Sequence, residues 1–219
     1  MTVRTRIKIC GLTRELDVAA AVEAGADAIG FVMYAKSPRH VSLERAVALA
    51  GRLPPFVTPV LLFVNAAAAD IGAALAAVPQ ALPQFHGDES PVDCDAVARP
   101  YLRAVRMDPN VDLLDWAQRF PNAQALLLDA AVDGYGGGGK VFDWSLLPPD
   151  LPADVRSRLV LSGGLSPANV IDGVLRTRPY AVDVSSGVES AKGVKDAALV
   201  RRFCEAVREA DARLADLAT

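Results

Sequence analysis

The chain has 219 residues, a length that suits one large domain or two small ones, and its 23 basic and 26 acidic side chains give a formal net charge of −3. This balance, without a basic stripe, argues against nucleic acid as a partner, and no apolar run approaches the roughly 20 residues of a membrane span. Hydrophobic residues make up 52% of the chain and aromatic residues only 6%, a mixture typical of buried parallel strands and alanine-rich helices.

The three cysteines, Cys10, Cys94 and Cys204, are widely spaced and form no CxxC pair. This spacing favours a reducing compartment over a disulfide framework. The N-terminal stretch MTVRTRIKIC is apolar too briefly for a signal peptide. We therefore expect a cytoplasmic protein.

Eight short β-like runs follow one another along the chain, with helical stretches between most of them. The runs are residues 7–10, 28–33, 59–64, 82–86, 101–105, 125–129, 158–163 and 181–186. Apolar residues at three- and four-residue spacing indicate helices within 14–25, 42–53, 69–78 and 166–176, and a last helix at about 195–215. Strands that alternate with helices predict a parallel sheet.

Eight strand–helix units in this length fit a compact (β/α)₈ barrel. An open doubly wound sheet is the alternative, but it usually has fewer strands. No linker or break in composition interrupts the chain, so we predict one barrel domain over residues 1–219.

The C-terminal ends of all strands in such a barrel open on one face, where side chains distant in sequence gather. The candidates at these ends are Cys10, Arg39, His86, Asp129, Gly163, Gly164, Ser185, Ser186 and Gly187. A long irregular stretch, residues 130–145, follows strand six and contains four consecutive glycines at 136–139. It is either a loop of the functional face or a tolerated surface loop.

Glycine-rich turns follow strands seven and eight, in LSGGLSPANV and VDVSSGVE. Glycine lets backbone N–H groups approach an anion closely, and a helix N-terminus adds favourable charge. The loops after strands seven and eight often bind phosphate in these barrels. Either turn alone is common, but together they predict phosphate binding by Gly163, Gly164, Ser185, Ser186 and Gly187.

Asp129 and Cys10 are the candidate acid and base. Asp129 ends the apolar run LLLDA, and burial disfavours a charged carboxylate, which helps a general acid keep its proton. Cys10 ends strand one, three steps around the ring from strand six, so the two side chains would face each other across the mouth. A free thiol has a pKa of about 8.5, which must fall for it to act as a base near pH 7. The alternatives are a helix-capping aspartate and a core cysteine.

Three further charged or polar groups lie near these ends. Arg39 could hold a carboxylate in bidentate fashion, whereas His86 is interpreted as a structural donor. Because alternate side chains share one face of a strand, Lys8 lies on the same face as Cys10, and Asp183 on the same face as Ser185. Because strands one and eight are neighbours and a lone buried charge is costly, we predict that Lys8 and Asp183 pair.

Taken in order, KICGLTR, GFVMYAKSPR, LLFVN, QFHGDE, LLLDA, LSGGLSPANV and VDVSSGVE resemble the phosphoribosylanthranilate isomerases, (β/α)₈ enzymes of tryptophan biosynthesis. The resemblance covers nearly the whole chain, with Phe85 standing where the family typically has an aliphatic residue. It implies an Amadori rearrangement of the phosphorylated small molecule N-(5′-phosphoribosyl)anthranilate to 1-(2-carboxyphenylamino)-1-deoxyribulose 5-phosphate, with no metal or organic cofactor.

The same resemblance implies roles for individual residues. Asp129 would protonate the ribose ring oxygen, Cys10 would remove the C2′ proton, and Arg39 would hold the anthranilate carboxylate. The phosphate would bind to Gly163, Gly164, Ser185, Ser186 and Gly187.

Other functions stay open at this point. An isomerase of histidine synthesis would have an aspartate where Cys10 stands, and a metal-dependent epimerase would need more than two histidines. A related isomerase of broader substrate range and a non-catalytic phosphosugar-binding barrel remain possible. The sequence is compatible with a monomer or a homodimer.

Overall fold

A computed structural model describes residues 4–131, 141–148 and 150–217. Its eight parallel strands form a closed barrel in the order β1 to β8, which confirms the predicted (β/α)₈ architecture. The strands are β1 Arg6–Cys10, β2 Ala28–Val32, β3 Thr58–Phe63, β4 Leu82–Phe85, β5 Tyr101–Met107, β6 Ala123–Ala130, β7 Leu159–Leu161 and β8 Ala181–Val184.

All eight predicted runs correspond to barrel strands, with ends that shift by two residues at most. The helices are α1 Glu15–Glu23, α2 Leu43–Ala50, α3 Ala68–Ala77, α4 Pro91–Asp95, α5 Leu113–Arg119, α6 Ala153–Arg156, α7 Val170–Thr177 and α8 Ala197–Asp216. The sequence analysis did not identify α4, α5 and α6, because four to seven residues are too few to display an apolar period. The glycines at 136–139 lie outside the described residues.

Two apolar layers surround the strands. The larger core packs the outward faces of the strands against the helices, and its fully buried members include Phe31, Phe85 and Phe203. A smaller cluster fills the barrel interior, with Val60, Leu127 and others. This interior supports the strand ends above it. Among the described helices none is both long and apolar enough to cross a membrane.

The barrel interior also holds a buried ion pair. Strand register places Lys8 opposite Asp183, and Lys8 Nζ lies 2.8 Å from Asp183 Oδ1 with both side chains nearly inaccessible. The other carboxylate oxygen, Oδ2, accepts a hydrogen bond from Ser162 Oγ at 3.3 Å. The predicted pairing of Lys8 with Asp183 is therefore confirmed.

A short hairpin follows the barrel's last strand. The sequence analysis extended strand eight to residue 186, but β8 ends at Val184 and a 3₁₀ turn, Ser186–Val188, leads into β9 Glu189–Ala191 and β10 Val194–Lys195. Gly193, with φ of +78°, turns the hairpin, and its carbonyl accepts a hydrogen bond from Thr13 Oγ1 at 2.8 Å. The hairpin thus folds back over the start of the chain, beside the barrel mouth.

Candidate active site

Cys10 closes β1 with 5% of its surface exposed. A Cβ on its register partner Gly30 would lie 2.6 Å from Cys10 Sγ, so a glycine is needed there to make room for the thiol. Val32, Leu62 and Val64 form a small apolar cluster with Cys10. The thiol therefore lies at the mouth of the barrel beside an apolar wall on β1, β2 and the end of β3.

Burial is the largest influence on the thiol. Burial and the Asp183 carboxylate raise the pKa of Cys10, whereas the Lys8 and Lys195 ammonium groups lower it. The net result is a raised pKa. The lowered pKa that the sequence argument required is thus not found in the protein alone, because loss of hydration outweighs the cations. Burial therefore favours the thiol form of Cys10 over the thiolate.

Asp129 is the second-last residue of β6 and is also buried. Its Oδ1 accepts a hydrogen bond from the Ala130 backbone N–H at 2.9 Å, and its Oδ2 lies 3.1 Å from His86 Nε2. Gly163, with φ of +75°, would place a Cβ 2.5 Å from Ala130 N and 3.0 Å from Asp129 Oδ1. The loop after β7 therefore packs directly against the candidate acid, and only glycine fits there.

His86 and Gln84 extend this contact into the barrel. Gln84 Nε2 lies 2.9 Å from His86 Nδ1, so the ring of His86 bridges Gln84 and Asp129. The sequence analysis assigned His86 a structural role and did not single out Gln84. Period two along β4 puts both side chains on the inward face, and this signal could have identified Gln84.

Arg39 lies at the mouth beside β1. A Cβ on Gly11 would lie 2.5 Å from Arg39 Cδ, so the arginine crosses the chain directly after Cys10. Its Nε and Nη2 donate to the two carboxylate oxygens of Glu189, at 2.7 and 2.9 Å. Since a guanidinium is a planar fork, the Nη1–Nη2 edge faces away from that carboxylate.

Lys195 is a second cation that the sequence analysis missed. Its buried ammonium lies 2.8 Å from Glu189 Oε1 and donates to the Ser185 carbonyl at 3.0 Å. Burial lowers the pKa of Lys195. Burial acts to raise the pKa of Glu189, but hydrogen bonds from Arg39 and Lys195 outweigh it and the pKa is lowered. Glu189 is therefore a carboxylate shared by two buried cations.

The candidate phosphate residues form two turns in direct contact. Gly163 and Gly164 both have positive φ, of +75° and +65°, and a Cβ on Gly187 would lie 1.9 Å from the carbonyl oxygen of Leu165. Ser185 Oγ donates to the Cys10 carbonyl at 3.0 Å, so this hydroxyl joins β8 to β1. Ser186 begins the 3₁₀ turn that also contains Gly187.

These contacts make one continuous rim. It runs from Asp129 on β6, through the turns after β7 and β8, to Cys10 on β1, as the sequence analysis expected from the order of the strands. The buried charges around the thiol are the three cations Lys8, Arg39 and Lys195 and the two carboxylates Asp183 and Glu189. Their excess of one positive charge favours an anionic ligand.

Fold and site together indicate a barrel enzyme whose cationic mouth, between a carboxyl group and a thiol, suits a small anionic ligand. No cluster of three or more His, Cys, Asp or Glu side chains suited to a metal occurs in the described part of the chain. A family model described as N-(5′-phosphoribosyl)anthranilate (PRA) isomerase matches residues 7–206. The N-(5′-phosphoribosyl)anthranilate isomerase of Methylibium petroleiphilum is 73% identical over 97% of this chain and 98% of its own. The chain belongs to the phosphoribosylanthranilate isomerase family.

Solved structures agree with this assignment. The phosphoribosyl anthranilate isomerase of Thermus thermophilus superposes with a TM-score of 0.84 at 34% identity, over 94% of this chain and 99% of its own. A phosphoribosyl anthranilate isomerase in complex with reduced 1-(o-carboxyphenylamino)-1-deoxyribulose 5-phosphate gives 0.80 at 38%, with the same coverage. Monomers made from the dimeric enzyme of Thermotoga maritima give 0.77 at 37%, again with that coverage.

Proposed function

We propose that the chain catalyses the reaction of its family, the Amadori rearrangement of N-(5′-phosphoribosyl)anthranilate in tryptophan biosynthesis, with Asp129 as general acid and Cys10 as general base. The observation that carries these roles is the continuous rim between them. A buried carboxyl group and a buried thiol stand at its two ends, and the glycine turns after β7 and β8 lie between.

The first step is ring opening. Asp129 gives its proton to the ribose ring oxygen, the bond from C1′ to that oxygen breaks, and the lone pair of the anthranilate nitrogen forms a C1′=N iminium. The former ring oxygen leaves as the C4′ hydroxyl. Placing the acid and the substrate in fixed geometry is what makes such a proton transfer efficient.

The second step removes the C2′ proton. Cys10 must first lose its own proton to solvent water and become a thiolate, yet its pKa is raised by burial in the protein alone. The iminium formed in the first step brings a positive charge to the mouth, and an opposite charge nearby favours the ionised thiol. The C2′–H electron pair moves into the iminium to give an enolamine, which relaxes to the ketone.

Three parts of the mouth suit three parts of the substrate. The turns at Gly163–Gly164 and Ser186–Gly187 would bind the phosphate through backbone N–H groups. The outer edge of Arg39 would bind the anthranilate carboxylate, while Glu189 holds the other edge. The apolar cluster beside Cys10 would cover the aromatic ring.

The test is the loss of phosphoribosylanthranilate fluorescence after purified protein is added. Cys10→Ala and Asp129→Asn should each lower kcat by about 10²- to 10⁴-fold, the usual contribution of an acid or base. Cys94→Ala and Asp172→Asn are matched controls, since Cys94 lies in the outer core and Asp172 is exposed on α7 in a pair with Arg176. Both controls should retain activity.

Other outcomes would assign the site differently. Turnover that survives Cys10→Ala would return this thiol to the core and leave the base unassigned. A wild-type protein that binds the reduced product analogue without turning over substrate would indicate a phosphosugar-binding barrel. Arg39→Lys should raise KM more than it lowers kcat, because lysine cannot hold a carboxylate through a fork.

For the assembly we propose a homodimer. The Thermotoga maritima relative is described as dimeric, and Phe56 of this chain is 99% exposed with a φ of +71°. It lines a cavity of about 1130 Å³ at the opposite end of the barrel from the candidate site. Light scattering across protein concentrations should give a dimer mass, and Phe56→Ser should lower it toward that of one chain.

A further inference from the structure

Lys195 is a buried cation whose hydrogen bonds are all made to the chain itself. Its Nζ donates to the Ser185 carbonyl at 3.0 Å, to Ser185 Oγ at 3.3 Å and to Glu189 Oε1 at 2.8 Å. Ser185 Oγ gives its own proton to the Cys10 carbonyl, so its lone pairs can accept from Lys195. Three acceptors match the three donors of an ammonium group. Lys195 therefore has no donor left for a ligand.

Glu189 lies between this ammonium and Arg39. Its Oε1 accepts from both cations, at 2.8 Å from Lys195 Nζ and 2.7 Å from Arg39 Nε. Its Oε2 accepts from Arg39 Nη2 at 2.9 Å. All three side chains are at most 9% exposed, and buried charges are only weakly screened by salt. One carboxylate is therefore shared by two cations, and the group keeps a net charge of +1.

The backbone of the hairpin holds Lys195 in this position. The Lys195 N–H donates to Asp17 Oδ2 at 3.3 Å, and the Lys195 carbonyl accepts from Arg14 Nη2 at 3.3 Å. At the turn, a Cβ on Gly193 would lie 2.9 Å from the carbonyl oxygen of Pro38, in the loop after β2. The hairpin is thus packed against both the start of α1 and the loop that carries the arginine.

The balance of charge shows what Lys195 contributes. Arg39 and Glu189 alone would form a neutral pair, and Glu189 would repel a carboxylate bound at the outer edge of Arg39. The ammonium of Lys195 cancels that repulsion. At a separation of roughly 8 Å and an effective dielectric constant of about 20, one unit charge changes the affinity for an anion by about 30-fold. Lys8 does not replace this charge, because it is paired with Asp183.

We propose that Lys195 is a positioning residue that makes the enzyme selective for a substrate with a carboxylate on its aromatic ring. Glu189 fixes the guanidinium of Arg39, and Lys195 neutralises Glu189, so that Arg39 meets the substrate as an uncompensated cation. The proposal rests on the proposed function, in which Arg39 binds the anthranilate carboxylate.

The binding of two ligands tests this role. Calorimetry gives the Kd of reduced 1-(o-carboxyphenylamino)-1-deoxyribulose 5-phosphate and of the same compound without its carboxyl group. The ratio of the two values is the selectivity for the carboxylate, and contacts with the phosphate cancel in it because both ligands have one. Lys195→Met should lower this selectivity by about fivefold or more. Lys192→Met, at an exposed position of the same hairpin, is the matched control and should leave it unchanged.

The double variant Glu189→Gln, Lys195→Met tests the balance of charge. Lys195→Met alone leaves Glu189 to repel the ligand, whereas Glu189→Gln alone leaves two cations that repel each other. The double variant again has a net charge of +1, and the introduced amide oxygen can still accept from Arg39. Its selectivity should therefore return to within about fivefold of wild type. This comparison decides the matter even if Lys195→Met alone does not fold.

Two results would overturn the proposal. One is a loss of selectivity below about fivefold for Lys195→Met, and the other is a larger loss than that in the double variant, as a purely structural role of Lys195 would give. Arg39→Met shows which level has failed. Unchanged selectivity in Arg39→Met would refute the assignment of the carboxylate to Arg39, and this proposal with it. Selectivity that is lost in Arg39→Met but kept in Lys195→Met would refute the role of Lys195 alone.

Discussion

Replacing Lys8 by methionine tests the ion pair beneath the thiol. Lys8 Nζ and Asp183 Oδ1 are 2.8 Å apart and their side chains are only 5% and 7% exposed. At this distance two unit charges attract by about 6 kcal/mol at an effective dielectric constant of about 20. Desolvation offsets much of that attraction, but removing one partner leaves the other charge buried alone, which typically costs about 3–5 kcal/mol.

We therefore expect Lys8→Met to lower the free energy of unfolding by about 3–5 kcal/mol, a large part of the roughly 5–15 kcal/mol that holds most proteins folded. Urea unfolding followed by circular dichroism measures this change, with Lys36→Met at an exposed position as control. Lys8→Met combined with Asp183→Leu should recover most of the loss, because no charge is then left unpaired. A loss below about 1 kcal/mol for Lys8→Met alone, the range of an exposed ion pair, would refute the reasoning.

Three more expectations follow from the geometry. Gly187→Ala should raise KM at least tenfold, because its Cβ would lie 1.9 Å from the Leu165 carbonyl oxygen. The control Gly72→Ala, whose Cβ would have nothing within 4 Å, should leave KM unchanged. Equal KM values for the two variants would contradict the packing of the two turns. Alkylation of Cys10 by iodoacetamide in the protein alone should be slow at pH 8 and accelerate above pH 9, since burial raises the pKa of the thiol. Peptide mapping locates the label, and fast labelling of Cys10 at pH 7 would contradict this expectation. Glu189→Gln should raise KM more than it lowers kcat, because a neutral amide holds Arg39 and Lys195 less firmly than a carboxylate does. An unchanged KM in the fluorescence assay would show that Glu189 does not contribute to the site.

The barrel and the ion pair inside it were predictable because they follow from local periodicity. Strand runs recur with helical stretches between them, and a period of two assigns each inward side chain once one of them is known. Lys8 and Asp183 were paired in this way, since strands one and eight of a closed ring are neighbours. Closure of the barrel was the only long-range contact that this prediction had to assume.

The charges that surround Arg39 were not predictable in the same way. Glu189 and Lys195 lie on a hairpin of three- and two-residue strands, whose position depends on the turn at Gly193 and on contacts with the start of the chain. Period two along a barrel strand says nothing about a segment that leaves the barrel. The resemblance directed Arg39 to a substrate carboxylate, whereas in the protein alone a carboxylate of the chain holds one edge of it.

The raised pKa of Cys10 has a consequence for the order of the two proton transfers. A thiol that stays protonated in the protein alone cannot take the C2′ proton until a positive charge reaches the mouth. In the proposed mechanism, that charge arises only when Asp129 has protonated the ring oxygen and the iminium has formed. The proposed base would therefore be activated by the product of the acid's step, in agreement with the position of the two groups at opposite ends of one rim. A thiolate present before binding would gain nothing, because the C2′ proton of the closed ring is not acidic.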